Sequence, residues 1–293
     1  MSYKVLVLGG DSYIASNFIQ LIRAESDLMV YSRVETGCLN ETVVTDFFSL
    51  TETNFFGADV VVNFVGIAHR KNVPKEDYDK VNNRLAVYLC ENAKRAGVKH
   101  FIQMSTISVY GNFEEIDENT NPNPVNEYGQ SKLNADNLLQ SINTDSFKVS
   151  IIRPPMVYGN KCPGNFFKLV NLVSQGWPLP LGNADENRDF IFVANLVSFI
   201  KHIAFQPTSG VFLISDGCPI STKNLVVAIA HYKNIRLRLF PVPKILIRLL
   251  VKVFPGVFSK LFGRLSVSIV STLVKTNFKV PFDTEESLRR SLL

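Results

Sequence analysis

An α/β fold built on a doubly wound parallel sheet is predicted from three observations. Short β-branched runs alternate with helix-length amphipathic segments up to about residue 153, a Gly-Gly turn separates the first run from the first helix, and proline-punctuated sequence follows. The runs Val5–Leu8, Met29–Tyr31, Val60–Val65, Phe101–Met104 and Val149–Ile152 read as strands. The segments Ile14–Ala24, Tyr78–Ala96 with Gly97 as its stop, and Glu127–Ser141 repeat apolar residues at helical spacing. Strands this apolar require helices on both faces of the sheet.

After Arg153 the pattern loosens, with Pro154, Pro155, Pro163, Pro178 and Pro180 around one helix at about 165–175. Residues 1–153 are therefore expected to form the cofactor domain and 154–293 a smaller carboxyl-terminal substrate lobe. A helix over 194–205, within a stretch 189–205, is expected to return to the first domain, so that the two interleave.

Composition narrows the class. The chain has 293 residues, 46% apolar and 19% charged, enough for a packed core and unlike a disordered protein. Four scattered cysteines without a CxxC pair signal neither a zinc site nor a disulfide framework, so no metal is expected. A cytoplasmic setting follows from those thiols, together with the short first apolar run and the lack of an 18-residue uncharged apolar stretch. Net charge is +5, yet no acidic residue lies between Asp216 and Asp283, where eleven Lys or Arg occur. Such asymmetry marks a surface facing anions or a membrane.

The turn Gly9-Gly10-Asp11-Ser12-Tyr13-Ile14-Ala15 stands where a dinucleotide pyrophosphate meets helix N-terminal amides, which makes the sheet a Rossmann cofactor domain. Gly9 is the first position of a three-glycine pattern whose other two are taken by Ser12 and Ala15. Tyr13 and Ile14 supply the first helical amides. Ser32-Arg33 ends the second strand, where an acid binds adenosine ribose hydroxyls and an Arg a 2′-phosphate. Between NADP(H) and NAD(H), Arg33 leans the site towards NADP(H).

The chain resembles the NAD-dependent epimerase/dehydratase family, the extended short-chain dehydrogenase/reductases that act on nucleotide sugars. The matching runs are Asp59–Gly66, Val81-Asn82, Ser105–Gly111, Tyr128-Gly-Gln-Ser-Lys132, Arg153–Gly159 and Arg188-Asp-Phe190, in family order. Tyr128 and Lys132 are four apart and share one helix face. A phenol, with a pKa near 10, is a poor base at neutral pH unless positive charge adjoins it. The resemblance implies that Tyr128 exchanges the proton of a sugar hydroxyl, that Lys132 also holds the nicotinamide ribose, and that Thr106 hydrogen-bonds the reacting oxygen. It places Asp46, Phe47, Val65, Gly66 and Asn82 around the cofactor; Asn82 reads equally as a buried structural residue. Arg188 matches a position that contacts the substrate pyrophosphate, and Asn165 one near the nucleotide phosphates. For Phe166 and Leu181, lobe packing is the expectation.

Family members that dehydrate sugars carry Asp-Glu directly after the catalytic Thr, whereas this chain has Ile107-Ser108. Neither replacement exchanges protons usefully at neutral pH. The resemblance thus leaves hydride transfer at C4 of a UDP-linked (N-acetyl)hexosamine, in precursor synthesis for a surface polysaccharide. A 4-keto reductase is favoured by a small margin over a 4-epimerase, on Arg33 and the stretch Pro163–Gly182. A non-catalytic NADP-binding sensor is the reading from another class.

The segment 236–264 holds seven basic residues and no acid, with Lys244, Arg248 and Lys252 repeating every four positions. Packing into the substrate lobe is the favoured reading, and peripheral membrane association the other. No nucleic-acid recognition module is found. The family implies a homodimer through the helices near 78–96 and 127–141.

Overall fold

The computed structural model describes residues 3–38, 40–68, 73–253 and 261–293. In chain order its elements are β1 (Lys4–Leu8), α1 (Tyr13–Ile22), β2 (Asp27–Ser32), β3 (Glu41–Val43), β4 (Val60–Asn63), α2 (Lys75–Tyr78), α3 (Leu85–Arg95), β5 (His100–Met104), β6 (Glu115–Ile116), α4 (Glu127–Ile142) and β7 (Lys148–Arg153). The second half adds β8 (Met156–Tyr158), α5 (Asn165–Ser174), β9 (Asn187–Arg188), β10 (Phe190–Phe192), α6 (Val193–Phe205), β11 (Gly210–Leu213), β12 (Ile220–Ser221), α7 (Thr222–Tyr232), α8 (Lys244–Val253) and β13 (Ser266–Val267), then helices Val270–Thr276 and Thr284–Leu292.

Seven strands form a parallel sheet in the order β11-β7-β5-β4-β1-β2-β3. The winding reverses between β4 and β1, so a crevice opens beyond their carboxyl ends, the usual ligand position in such sheets. Alternation along β1 serves both faces. Val5 and Val7 pack with Phe18, Ile22 and Phe199 from α1 and α6, while Leu6 and Leu8 pack with Phe55, Leu89 and Leu139 on the other face. Each side chain of this size that is fully buried contributes about 1.5–3 kcal/mol.

Two segments depart from the sequence expectation. The helix expected over 78–96 runs without a break from Lys75 to Arg95, but residues Asp79–Arg84 are wound as a π-helical turn between α2 and α3. Turns of this kind re-aim single side chains, and here the turn carries Asn82, which is fully buried. More of the second half also returns to the sheet than residues 189–205. Gly210–Leu213, expected in the substrate lobe, is the sheet's edge strand beside β7. A four-residue run with one glycine carries too little period-2 signal to be read as a strand.

The remaining chain builds the lobe from small sheets, with β10 against β8, β12 against β9 and β13 against β6. Its core is continuous with the α1 and α6 face, and Phe166 and Leu181 are buried there. Among the described residues no helix is long and apolar enough to cross a membrane.

His100, at the start of β5, is fully buried, and its Nε2 lies 2.7 Å from Ser150 Oγ. Burial, with Lys148 adding to it, pushes the imidazole down to about 3. The unfolded chain therefore takes up a proton below about pH 6.5 that the fold refuses until about pH 3, so stability falls as pH drops through that window. Between pH 7 and pH 5 this residue is expected to remove about 2 kcal/mol of unfolding free energy. Urea titrations at the two pH values should show that loss, and His100→Gln should lose correspondingly less.

Candidate active site

The site is assembled at the carboxyl end of β5. Thr106 follows that strand in extended conformation, and its hydroxyl accepts from the Ser108 amide at 3.1 Å, capping the short turn Ile107–Tyr110. Helix α4 lies directly against this turn. A Cβ at Gly129 would come within 2.5 Å of the Ser108 carbonyl, so only glycine permits the approach that brings Tyr128 to Thr106. The Thr106 hydroxyl stands near enough to the phenol to work towards lowering its pKa.

Lys132, one helical turn further, is 5% exposed and donates from Nζ to the Met104 carbonyl at 3.0 Å. Burial lowers its pKa to about 8, with Asp136 acting against the shift. Burial raises the Tyr128 phenol to about 12, with the nearby Thr106 hydroxyl acting against it. At neutral pH the pair is therefore phenol and largely ammonium.

A buried charge network fixes this helix to the sheet. Asp136 is fully buried on α4 and accepts from Ser105 Oγ at 2.8 Å and from Arg153 Nε at 2.9 Å. Arg153, at the end of β7, also donates to Tyr110 Oη at 2.9 Å. Asn82 does the same for the loop after β4. Its Oδ1 accepts from the Ile67 amide at 2.8 Å, while Nδ2 donates to the Ile67 carbonyl and to Ser131 Oγ, each at 3.1 Å. Gly66 lies over both groups, since a Cβ there would stand 3.1 Å from Asn82 Oδ1 and from Lys132 Nζ.

One cleft of about 360 Å³ unites Ser12, Tyr13, Ile14, Gly66, Thr106, Tyr128, Lys132, Asn165 and Arg188 along its lining. Asn165 opens α5, and Arg188 stands on β9 with Nη1 donating to the Gly263 carbonyl at 2.7 Å. Burial lowers the guanidinium pKa. The expected residues Gly9, Arg33, Asp46, Phe47 and Val65 do not line this cleft. They follow the carboxyl ends of β1, β2, β3 and β4, around the crevice where the winding reverses. Asp46 caps a short turn by accepting from the Phe48 amide at 2.9 Å, and Phe47 is buried beneath it.

The turn fits a dinucleotide despite its two replaced glycines. Gly9 has φ +81°, and a Cβ there would meet the Val65 amide nitrogen at 3.1 Å, so the backbone passes with no room to spare. Ser12 is the N-cap of α1, its hydroxyl accepting from the Ala15 amide at 3.3 Å. That leaves Tyr13 and Ile14 at the helix mouth on the cleft. The Ala15 methyl is fully buried in the core between α1 and the sheet. Arg33, in contrast, is paired with Asp11 at 3.1 Å, and a second carboxylate stands close by. Glu41 accepts from the Ser32 hydroxyl and from the Thr36 and Gly37 amides.

Other lining residues carried no signal in the sequence. Cys162 and Leu265 join the cleft from two separate segments, neither within a recognisable motif. Asp136 was legible in principle, because it lies four residues after Lys132 and so on the same helix face.

The family model described as "NAD dependent epimerase/dehydratase family" matches residues 5–214. A UDP-glucose 4-epimerase of Vibrio cholerae is 33% identical over 257 residues, covering 78% of this chain and 76% of that protein. The N-acetyl-alpha-D-glucosaminyl-diphospho-ditrans,octacis-undecaprenol 4-epimerase of Escherichia coli O157:H7 is 25% identical, covering 80% of this chain and 73% of its own. Among solved structures, the UDP-glucuronic acid 4-epimerase from Bacillus cereus in complex with NAD superposes with a TM-score of 0.80 over 99% of this chain and 95% of that one. At 17% identity that likeness concerns the fold. The matched span runs from β1 past the end of β11 and contains the nucleotide turn, Thr106, Tyr128, Lys132 and Arg188, so the chain belongs to the NAD-dependent epimerase/dehydratase family.

Proposed function

We propose that this protein is a nucleotide-sugar oxidoreductase that uses NAD(H) at C4 of a UDP-linked hexose or N-acetylhexosamine, as a 4-epimerase. The observation that carries the reading is the convergence of Thr106, Tyr128 and Lys132 on one cleft that Arg188 also lines. When bound, the nicotinamide supplies reversible hydride transfer at the sugar carbon. Tyr128 takes the proton of the C4 hydroxyl as that carbon is oxidised and returns it on reduction. Thr106 holds the same oxygen, and Arg188 binds the sugar diphosphate through charge-assisted hydrogen bonds.

Magnitudes define the task of Lys132. Bringing the phenol from about 12 to neutrality requires about 7 kcal/mol. One positive charge at about 4 Å supplies about 4 kcal/mol at an effective dielectric constant near 20. Positive charge beyond that of Lys132 is therefore needed beside the phenol. It comes with the oxidised cofactor, so Tyr128 becomes a base only in the loaded site.

Two considerations favour epimerisation over the reduction that Arg33 suggests. The two relatives compared above are 4-epimerases by name. The end of β2 also carries two carboxylates, Asp11 on Arg33 and Glu41 on Ser32, which suit ribose hydroxyls and oppose a 2′-phosphate. The reductase reading keeps Arg33 as its support, because an exposed ion pair of this kind holds by only about 0–1 kcal/mol and opens readily. Ile107 and Ser108 beside Thr106 speak against dehydration in either case. A cytoplasmic homodimer through α3 and α4 accompanies both readings.

Product analysis separates the two. Incubation with UDP-N-acetylglucosamine or UDP-glucose should yield the C4 epimer with no net change in cofactor, whereas stoichiometric loss of NADPH on a 4-keto-6-deoxy sugar would establish the reductase. In calorimetric titration NADH should bind at least about tenfold tighter than NADPH, and Glu41→Gln should narrow the gap. Tyr128→Phe should lower kcat by about 10²–10⁴-fold while NADH binding persists. Removing the Lys132 charge destabilises the phenolate, so in Lys132→Met the rising limb of the pH–rate profile should move to higher pH.

A further inference from the structure

We infer that Trp177, Phe240 and helix α8 form a docking surface for an anionic lipid bilayer. On α8, Ile245, Leu249 and Val253 are 81%, 56% and 57% exposed, and their spacing of four residues sets them in one stripe. Trp177, 67% exposed, and Phe240, 46% exposed, lie on the two chain segments that are paired just before the helix. Trp177 is the chain's only tryptophan.

These side chains are held on paired backbone. Leu179 and Leu239 form a bridge in which the Leu179 amide donates to the Arg238 carbonyl at 2.9 Å and the Phe240 amide to the Leu179 carbonyl at 3.1 Å. The Gly182 amide donates to the Phe240 carbonyl at 3.0 Å, and a Cβ at Gly182 would strike the Phe240 backbone at 2.7 Å. The Asn183 side chain then bonds both backbone groups of Val242, one residue before Pro243 leads into α8. The segments that carry Trp177 and Phe240 are thus held to each other by a fixed strap that leads into the helix.

Charge identifies the occupant. The segment 236–264 contains seven Lys or Arg and no Asp or Glu, and Arg236, Arg238 and Lys252 are exposed. A second copy docked isologously would set this basic face against itself. An anionic bilayer offers the complement, with apolar depth for Ile245 and Leu249 and an interfacial level suited to Trp177. Basic residues near such a surface add attraction that falls within a Debye length. None of these residues lines the active cleft, so docking and cofactor binding are separable.

The full-length protein, mixed with phosphatidylcholine vesicles containing about one third phosphatidylglycerol, should sediment with them and shift its single tryptophan emission to the blue. Partitioning should fall at least about tenfold on pure phosphatidylcholine, and likewise when salt rises from about 0.1 M to about 0.5 M. The Ile245→Glu/Leu249→Glu double variant should partition at least about tenfold less while binding NADH as the parent does. Should that variant fail to fold, the lipid and salt comparisons on the unaltered protein decide the matter. Absence of both pelleting and spectral shift at low salt would overturn the inference, as would equal binding to neutral vesicles. So would a dimer that the double variant splits and that ignores vesicles.

Discussion

The site depends on the buried pair of Asp136 and Arg153, which locks α4 onto the ends of β5 and β7. Taking two charges out of water costs several kcal/mol per ion, and that cost is recovered only if the remaining polar groups are also satisfied. Ser105 and Tyr110 supply part of those bonds here: Ser105 and Arg153 both donate to Asp136 Oδ2, while the buried Oδ1 has no hydrogen-bond partner among the described residues. Burial still raises the Asp136 carboxyl, with Arg153 and Ser105 holding it down. Removing one partner from such a pair typically costs about 3–5 kcal/mol, a large part of a domain's stability. The network is therefore a strong determinant of where α4 lies. The position of α4 in turn places Tyr128 and Lys132, because Gly129 lets the helix touch the Ser108 backbone.

From that placement the electrostatics follow. At this site burial drives the phenol and ammonium pKa values apart, the Tyr128 phenol up to about 12 and the Lys132 ammonium down to about 8. The phenol is not poised to act as a base in this state. Lys132 is not bonded to the phenol but to the Met104 carbonyl, so its influence on Tyr128 acts through its charge. In the proposed reading, Tyr128 stays protonated until further positive charge enters the cleft.

The strand-and-helix alternation and the Tyr128, Lys132 and Thr106 set were legible in the sequence because each rests on a local rule, period, helix spacing or strand end. Ser12, which takes a glycine's place in the nucleotide turn, serves as the N-cap of α1. Asp11 and Glu41 could not be foreseen as neighbours of Arg33 and Ser32, since their meeting depends on how the turn after β1 and strand β3 flank β2. The π-helical turn around Asn82 has no period of its own, and the edge strand Gly210–Leu213 is too short to announce itself. The exposed face of α8 was half visible. Its basic spacing could be read, but whether its apolar side was covered depended on the lobe, which only tertiary structure decides.

The central claim is that Tyr128 becomes a base only when a second positive charge joins Lys132. Ultraviolet difference titration of the protein against its Tyr128→Phe variant, with and without NAD⁺, tests it most directly. The phenol should titrate near 12 alone and fall by at least about two units when NAD⁺ is bound. A titration unmoved by bound NAD⁺, or a phenol already ionised near neutrality without it, would contradict the account.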